Sequence, residues 1–323
     1  MILTVTINPL LERRLFFNSV EIGKSNKSGK ELFSAGGKGI NVSRQLNYLG
    51  EKNSAFIFLG GNNGKALRHC LTQEQIEFTV ASTKSETRSA DLIIEESSNR
   101  VTTYFGLNSE ITKDEGDEFK HKLDKMIQNC SIVVFAGSSP CKAADDIFPH
   151  GIELANRYDK ISVLDTYGSH LTNCINAGPT VIHNNVDEVE RSLGISLKDE
   201  KAKLEYLHKL YSKNIKLMFL SDGPNSLYAE KFDFNYKVEP PEVSVIDATG
   251  SGDAFVAGIA YGLEKSLVFD EFLKIGVALG AANASKLTTC DVTLDEMNSY
   301  IEKVKVSAIG KKMKIIDDSP NYQ

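Results

Sequence analysis

The sequence predicts an α/β fold: a mostly parallel central sheet with helices on both faces, and a small antiparallel β sheet beside it. Three observations predict this. Short apolar runs alternate with amphipathic stretches along most of the chain, no repeat, low-complexity tract or Pro/Ser-rich linker divides it, and two β-rich segments stand outside the alternation. The 323 residues are 41% hydrophobic and 25% charged, the balance of a soluble globular chain able to bury a large core. A single unit over about residues 1–310 is expected, followed by a polar tail over 311–323.

Candidate buried strands, in chain order, are Ile2–Ile7, Ser54–Leu59, Ile132–Ala136, Ile161–Asp165, Thr180–His183 and Leu217–Ser221. Helical spacing marks Gly39–Leu49, Lys113–Gln128, Ala143–Arg157 and Glu200–Tyr211 between them, then Gly252–Leu263, Val268–Lys286 and Thr293–Lys305 in the final third. Ligands of such sheets bind beyond the carboxyl ends of the strands. Arg13–Ser34 is polar, carries the cations Arg13, Arg14, Lys24, Lys27 and Lys30, and reads as strands joined by turns. Thr87–Phe105 holds two β-rich runs around Ser97-Ser98-Asn99. Together, over about 11–34 and 87–106, these segments are expected to form a lid.

The formal net charge of −6 argues against a nucleic-acid partner. No run of 18 apolar residues occurs, so no membrane span is expected. The opening MILTVTINPL lacks the parts of a secretory signal. Five scattered cysteines without a CxxC argue against a disulfide framework or zinc site, and the expected compartment is the cytoplasm.

The segment that carries chemistry is Asp247-Ala248-Thr249-Gly250-Ser251-Gly252-Asp253-Ala254-Phe255-Val256-Ala257-Gly258. Its glycines permit a tight turn and close backbone approach to a ligand. The helix that follows presents free N–H groups and partial positive charge to an anion, which suits the charge that builds on a transferring phosphoryl group. Asp253, in the first turn, can accept a proton from an attacking hydroxyl, and such help is worth about 10²–10⁴ in rate. A second glycine-rich run, Ala35-Gly36-Gly37-Lys38-Gly39-Ile40-Asn41, also opens a helix. There Gly36 and Gly37 allow close approach to a sugar, Asn41 can donate to and accept from hydroxyls, and Lys38 could meet a phosphate.

The two segments resemble, in order, the C-terminal and N-terminal signatures of the ribokinase-like, or PfkB, carbohydrate kinases, and the resemblance covers about residues 1–305. It implies a three-layer α/β/α domain, an anion hole at Ala248–Gly252 with Gly250, Ser251 and Gly252 at its centre, and Asp253 as catalytic base. Thr6-Ile7-Asn8-Pro9, Thr87-Arg88 and Ala136-Gly137-Ser138-Ser139-Pro140 are similar to motifs of the 1-phosphofructokinase and tagatose-6-phosphate kinase branch. That similarity implies a ketohexose phosphate as substrate, with Arg88 binding its phosphate bidentately, Lys27 assisting, and Glu12, Gly36, Gly37, Lys38, Asn41 and Ser138 around the sugar. It also implies ATP and Mg²⁺. Asn185-Val186-Asp187-Glu188 fits the family's N-x-x-E element, with Glu188 reaching the metal through water. Ser221, Gly223, Ser226, Thr249 and Asn283 then fall on the nucleotide side. A homodimer paired through the lid sheets is implied as well.

Four departures stand against the pattern. Glu12 replaces the branch's Asp and adds one methylene, about 1.5 Å of reach. His183-Asn184 replaces Lys-Pro, Ser226 stands where Gly is frequent, and Ser89-Ala90 follows Arg88 where Asn is frequent. A P-loop is excluded, because neither Gly60–Ala66 nor Gly23–Glu31 supplies G-x-x-x-x-G-K-[ST]. Two other readings stay open: a kinase of an unphosphorylated sugar or nucleoside, and a catalytically weak paralogue that binds sugar phosphate.

Overall fold

The computed structural model describes residues 1–309, so the polar tail lies outside the described residues. The strands are β1 Ile2–Thr6, β2 Leu10–Phe17, β3 Lys30–Gly36, β4 Asn53–Leu59, β5 Phe78–Ser82, β6 Arg88–Glu95, β7 Arg100–Phe105, β8 Ile132–Ala136, β9 Ile161–Asp165, β10 Val181–Asn185, β11 Leu217–Ser221, β12 Leu227–Lys231, β13 Phe234–Glu239 and β14 Lys305–Ile309. The helices are α1 Lys38–Tyr48, α2 Gly61–Gln73, α3 Lys113–Gln128, α4 Ile147–Arg157, α5 Leu171–Asn176, α6 Val186–Leu193, α7 Glu200–Tyr211, α8 Ser251–Glu264, α9 Phe269–Ala284 and α10 Leu294–Ile301.

Ten strands form the central sheet in the order β14-β13-β12-β11-β10-β9-β8-β1-β4-β5. From β5 to β11 every pair is parallel, and β12–β14 extend the sheet antiparallel. Alternation along the strands feeds two cores. In β8, Val133 and Phe135 pack with Phe119 and Leu123 of α3 and Phe148 of α4. Ile132, Val134 and Ala136 pack on the other face with Val42 of α1 and with α8 and α9. Both faces are covered, as a parallel sheet requires.

Local chemistry fixes the helix starts. Thr112 and Glu115 close a capping box on α3, with the Thr112 hydroxyl accepting from the Glu115 N–H at 3.3 Å. Asn185 caps α6 by accepting from the Glu188 N–H at 2.8 Å. Helices α8 and α9 meet at Gly258 and Gly276, where a Cβ on Gly258 would lie 2.7 Å from the Gly276 Cα. Gly258→Leu would separate the two helices at a cost of roughly 1–3 kcal/mol for overpacking.

The lid is a four-stranded sheet, β3-β2-β6-β7. It is antiparallel at both edges, while β2 and β6 pair in parallel with Leu10 opposite Arg88. That register brings the start of β6 to the same end of the lid as Glu12 and Gly36.

Boundaries differ from expectation in a few places. Thr293–Lys305 is not one helix: α10 ends at Ile301, and Val304 and Val306 belong to the run into β14, which pairs with β13. Ala143–Arg157 begins with a 3₁₀ turn at Lys142–Ala144 before α4. Among the described residues no helix is long and apolar enough to cross a membrane.

Candidate active site

At the carboxyl ends of the parallel strands, the lid and the start of α8 enclose a cleft of about 1040 Å³. Gly250 caps α8 with φ 78 and ψ 0, a left-handed conformation open to glycine, and a Cβ there would collide with the Thr289 methyl. Thr249, Gly250, Ser251 and Gly252 line the cleft; the Ser251 N–H donates to the Ala248 carbonyl at 3.1 Å, while the Gly252 and Asp253 N–H groups have no intrahelical acceptor. Asn283 holds this turn from behind. It is fully buried, donates to the Thr249 carbonyl at 2.8 Å, and accepts from the Cys290 N–H at 2.7 Å. It does not line the cleft, which corrects its expected place beside the nucleotide.

Asp253 is 4% exposed, and its Oδ2 accepts from Asn41 Nδ2 at 2.7 Å. Arg44 fixes that amide by donating to Asn41 Oδ1 at 2.7 Å while pairing with Glu74. Burial is the largest influence on Asp253 and raises its pKa, and the charges of Asp165 and Glu188 push the same way. The Lys38 ammonium and the Asn41 bond oppose them, leaving the carboxyl at about 7.

Lys38 spans the centre. Its Nζ donates to Glu188 Oε1 at 2.8 Å and to Asp165 Oδ1 at 3.2 Å. Burial would lower its pKa, but the charges of Asp165, Glu188 and Asp253 outweigh burial and raise it. Burial alone would also raise Asp165, yet Lys38 and His183 hold it below the usual carboxylate range. His183 sits between Asp165, at 3.2 Å from Nδ1, and Ser221 Oγ, at 3.1 Å from Nε2. The histidine that replaces the branch's lysine thus ties the nucleotide-side loop to the central carboxylates.

At the lid end Arg88 donates to the Asn8 carbonyl at 3.0 Å and to Asn108 Oδ1 at 3.3 Å, and lies over the Phe105 ring. Burial lowers its pKa, and no carboxylate pairs with it among the described residues. Asn8 also reaches Ser138 Oγ at 3.1 Å. Glu12 lines the cleft and rests on Gly36, where a Cβ would lie 2.7 Å from its Cγ. Gly37, at φ 124, turns the chain into α1. Lys27 lies elsewhere. It falls in the β2–β3 connection beyond the Phe16–Lys30 pair, and Phe16 is itself four residues, about 13 Å, along β2 from the cleft-lining Glu12. Within its own chain it does not reach the sugar end.

Toward the other end, Ser221, Gly223 and Ser226 form a loop whose Asp222 pairs with Lys203 at 2.6 Å. Val243, Val245, Val277, Ala281 and Ala284 make an apolar slot beyond it. Sequence reasoning passed over Asp165, Arg44, Arg14 and Tyr167, whose ring lines the cleft 5.2 Å from Lys38 Nζ. Asp165 carried a usable signal, since it ends a parallel strand on the ligand side. The others owe their place to contacts distant in sequence.

The pfkB family carbohydrate kinase model matches residues 12–296. A tagatose-6-phosphate kinase of Staphylococcus epidermidis is 29% identical over 309 residues, 95% of this chain and 99% of the relative. A Thermotoga maritima protein described as a possible 1-phosphofructokinase superposes with a TM-score of 0.88 at 24% identity, over 96% of this chain and 99% of the other. Phosphofructokinase-2 from Escherichia coli gives 0.87 at 22%, over 94% and 98%. With a family model spanning well over half its length, the chain belongs to the pfkB family of carbohydrate kinases.

Proposed function

We propose that this protein is an ATP-dependent sugar-phosphate kinase that transfers a phosphoryl group to a hydroxyl of a ketohexose phosphate, of the tagatose 6-phosphate or fructose 1-phosphate type. One observation carries the reading. The buried carboxyl of Asp253 shares a cleft with the glycine-bent start of α8 and with Arg88, a half-buried guanidinium that no carboxylate neutralises among the described residues.

Each group then has a task. Asp253 takes the proton of the attacking hydroxyl, and a pKa near neutrality suits a base working at that pH. Asn41, oriented by Arg44, fixes the carboxylate for that transfer. The N–H groups at Gly250–Gly252 stabilise charge on the moving phosphoryl group. Arg88 binds the phosphate already on the sugar, while Glu12, Gly37 and Ser138 border the sugar itself. ATP lies along the loop at Ser221–Ser226, with its base in the apolar slot.

The central carboxylates suit a magnesium ion. Glu188 Oε2 and Asp165 Oδ2 are buried without a hydrogen-bond partner, and unsatisfied carboxylate oxygens are what a hard cation takes up. Glu188 would hold the ion through water, with Asn185 keeping the start of α6 in place. When bound there, such an ion would neutralise the ATP phosphates.

The test is ADP formation against a panel of sugar phosphates and their unphosphorylated parents. Turnover confined to phosphorylated ketohexoses is expected. Turnover with unphosphorylated sugars alone, or binding of sugar phosphate without ADP, would contradict the proposal.

On the lid face away from the cleft Phe33 and Tyr104 are exposed, and a second copy of the chain is proposed to cover this surface. Sedimentation should show a dimer that Phe33→Asp dissociates, and a monomer at micromolar concentration would refute the pairing.

A further inference from the structure

We infer that Arg14 is a positioning residue for sugar specificity, acting through Glu12 and seating the lid on the anion-binding turn. The inference rests on the kinase reading above. Glu12 and Arg14 are two apart on β2 and so share a face of the lid, while Arg13 faces away and pairs with Asp91 at 2.7 Å. Arg14 is 9% exposed. Its Nη2 donates to Glu12 Oε2 at 3.2 Å and to Thr289 Oγ1 at 3.1 Å, and its Nη1 donates to the Leu287 carbonyl at 2.8 Å.

Two consequences follow. Ser34 Oγ also donates to Glu12 Oε2, at 3.2 Å, so both hydrogen bonds fall on one carboxylate oxygen. Oε1 is left for a sugar hydroxyl, while two donors hold Oε2 in place. The second consequence runs through Thr289. Its methyl abuts Gly250, and the adjacent Cys290 Sγ lies 3.3 Å from the Gly250 carbonyl. Arg14 therefore links the group that reads the sugar to the turn that receives the phosphoryl group. The extra methylene of Glu12 is compatible with this geometry because the carboxylate is braced rather than free.

The experiment is calorimetric binding of tagatose 6-phosphate, fructose 1-phosphate and fructose 6-phosphate to the full chain, with Arg14→Met, Glu12→Gln and the double variant. Arg14→Met is expected to weaken binding of the preferred sugar phosphate about tenfold, to narrow the preference among the three, and to leave ATP affinity within about twofold. On the Glu12→Gln background the same change should cost less than about twofold, since residues acting through one another are not additive. Arg14→Lys should recover part of the loss. Should Arg14→Met fail to fold, Thr289→Val removes one acceptor at constant shape, and a selective loss of sugar-phosphate binding is expected there too. Equal costs on both backgrounds, or equal losses for ATP and sugar, overturn the inference alone. Failure of the unaltered protein to bind any sugar phosphate overturns the kinase reading with it.

Discussion

The two ends of the cleft are built differently. At the end proposed for catalysis and sugar binding, charged side chains hold one another in fixed places: Glu74, Arg44, Asn41 and Asp253 form one chain, and Glu188, Lys38, Asp165 and His183 another. At the nucleotide end the walls are small and apolar, and the loop over Ser221–Ser226 touches the central network through one hydroxyl of Ser221. Where chemistry depends on proton position and charge, side chains must be oriented before substrate arrives. Where a flat base is held by apolar contact, shape is enough. Substitutions at the first end should therefore be costly and specific, and those at the second mild.

The largest effect is expected from Asp253→Asn. The amide keeps the size and the contact with Asn41 but cannot take a proton. Steady-state kinetics should show kcat down by about 10²–10⁴-fold with little change in either KM. A smaller loss would mean that proton removal is not what this end supplies.

Arg88→Gln comes next. Loss of a charge-assisted contact to a phosphate is worth about 1.5–3 kcal/mol, so kcat/KM for the sugar phosphate should fall roughly 10- to 100-fold. KM for ATP should not move. An equal loss on an unphosphorylated sugar would show that Arg88 does not read the phosphate.

The pH profile sharpens the contrast. As the proposed base Asp253 acts as its carboxylate, so kcat/KM should rise with pH through a midpoint near 7 to a plateau beyond it. The negative charge of Asp165 helps hold the Asp253 pKa up. Asp165→Asn removes that charge, so the acid limb should move to lower pH even though activity falls. An unmoved limb would sever Asp165 from the base.

The smallest effect belongs to the nucleotide end. Ser226→Gly should change KM for ATP by no more than about twofold, the scale of a substitution that breaks no buried contact. A tenfold change would erase the distinction between the two ends.

The same division governs how much could be read from sequence. Gly250–Asp253 and Gly36–Asn41 were legible because tight turns and close approach demand glycine, and each motif is a short contiguous run. The buried strands were legible because parallel strands covered on both faces are continuous apolar runs, as Ile132–Ala136 shows. Asn283 was misplaced because helical spacing does not say which face meets the ligand, and its amide in fact braces Thr249 and Cys290. Lys27 was misplaced because a polar hairpin does not announce its length or register. The run Phe234–Glu239 and the strand Lys305–Ile309 went unread, since these antiparallel strands, next to and at the edge of the sheet, are half exposed and carry mixed residues. Arg14 was invisible in its role because its contacts to Leu287 and Thr289 lie 273 and 275 positions away, and Arg44 because Glu74, which holds it against Asn41, lies 30 positions away.

The most direct measurement is the structure of the protein with a ketohexose phosphate and a non-hydrolysable ATP analogue. The account predicts the accepting hydroxyl within about 3 Å of an Asp253 carboxylate oxygen, the sugar's phosphate on Arg88, and the terminal phosphate of the analogue at the N–H groups of Gly250–Gly252. A hydroxyl placed against another group, with Asp253 still bound only to Asn41 and out of reach, would contradict it.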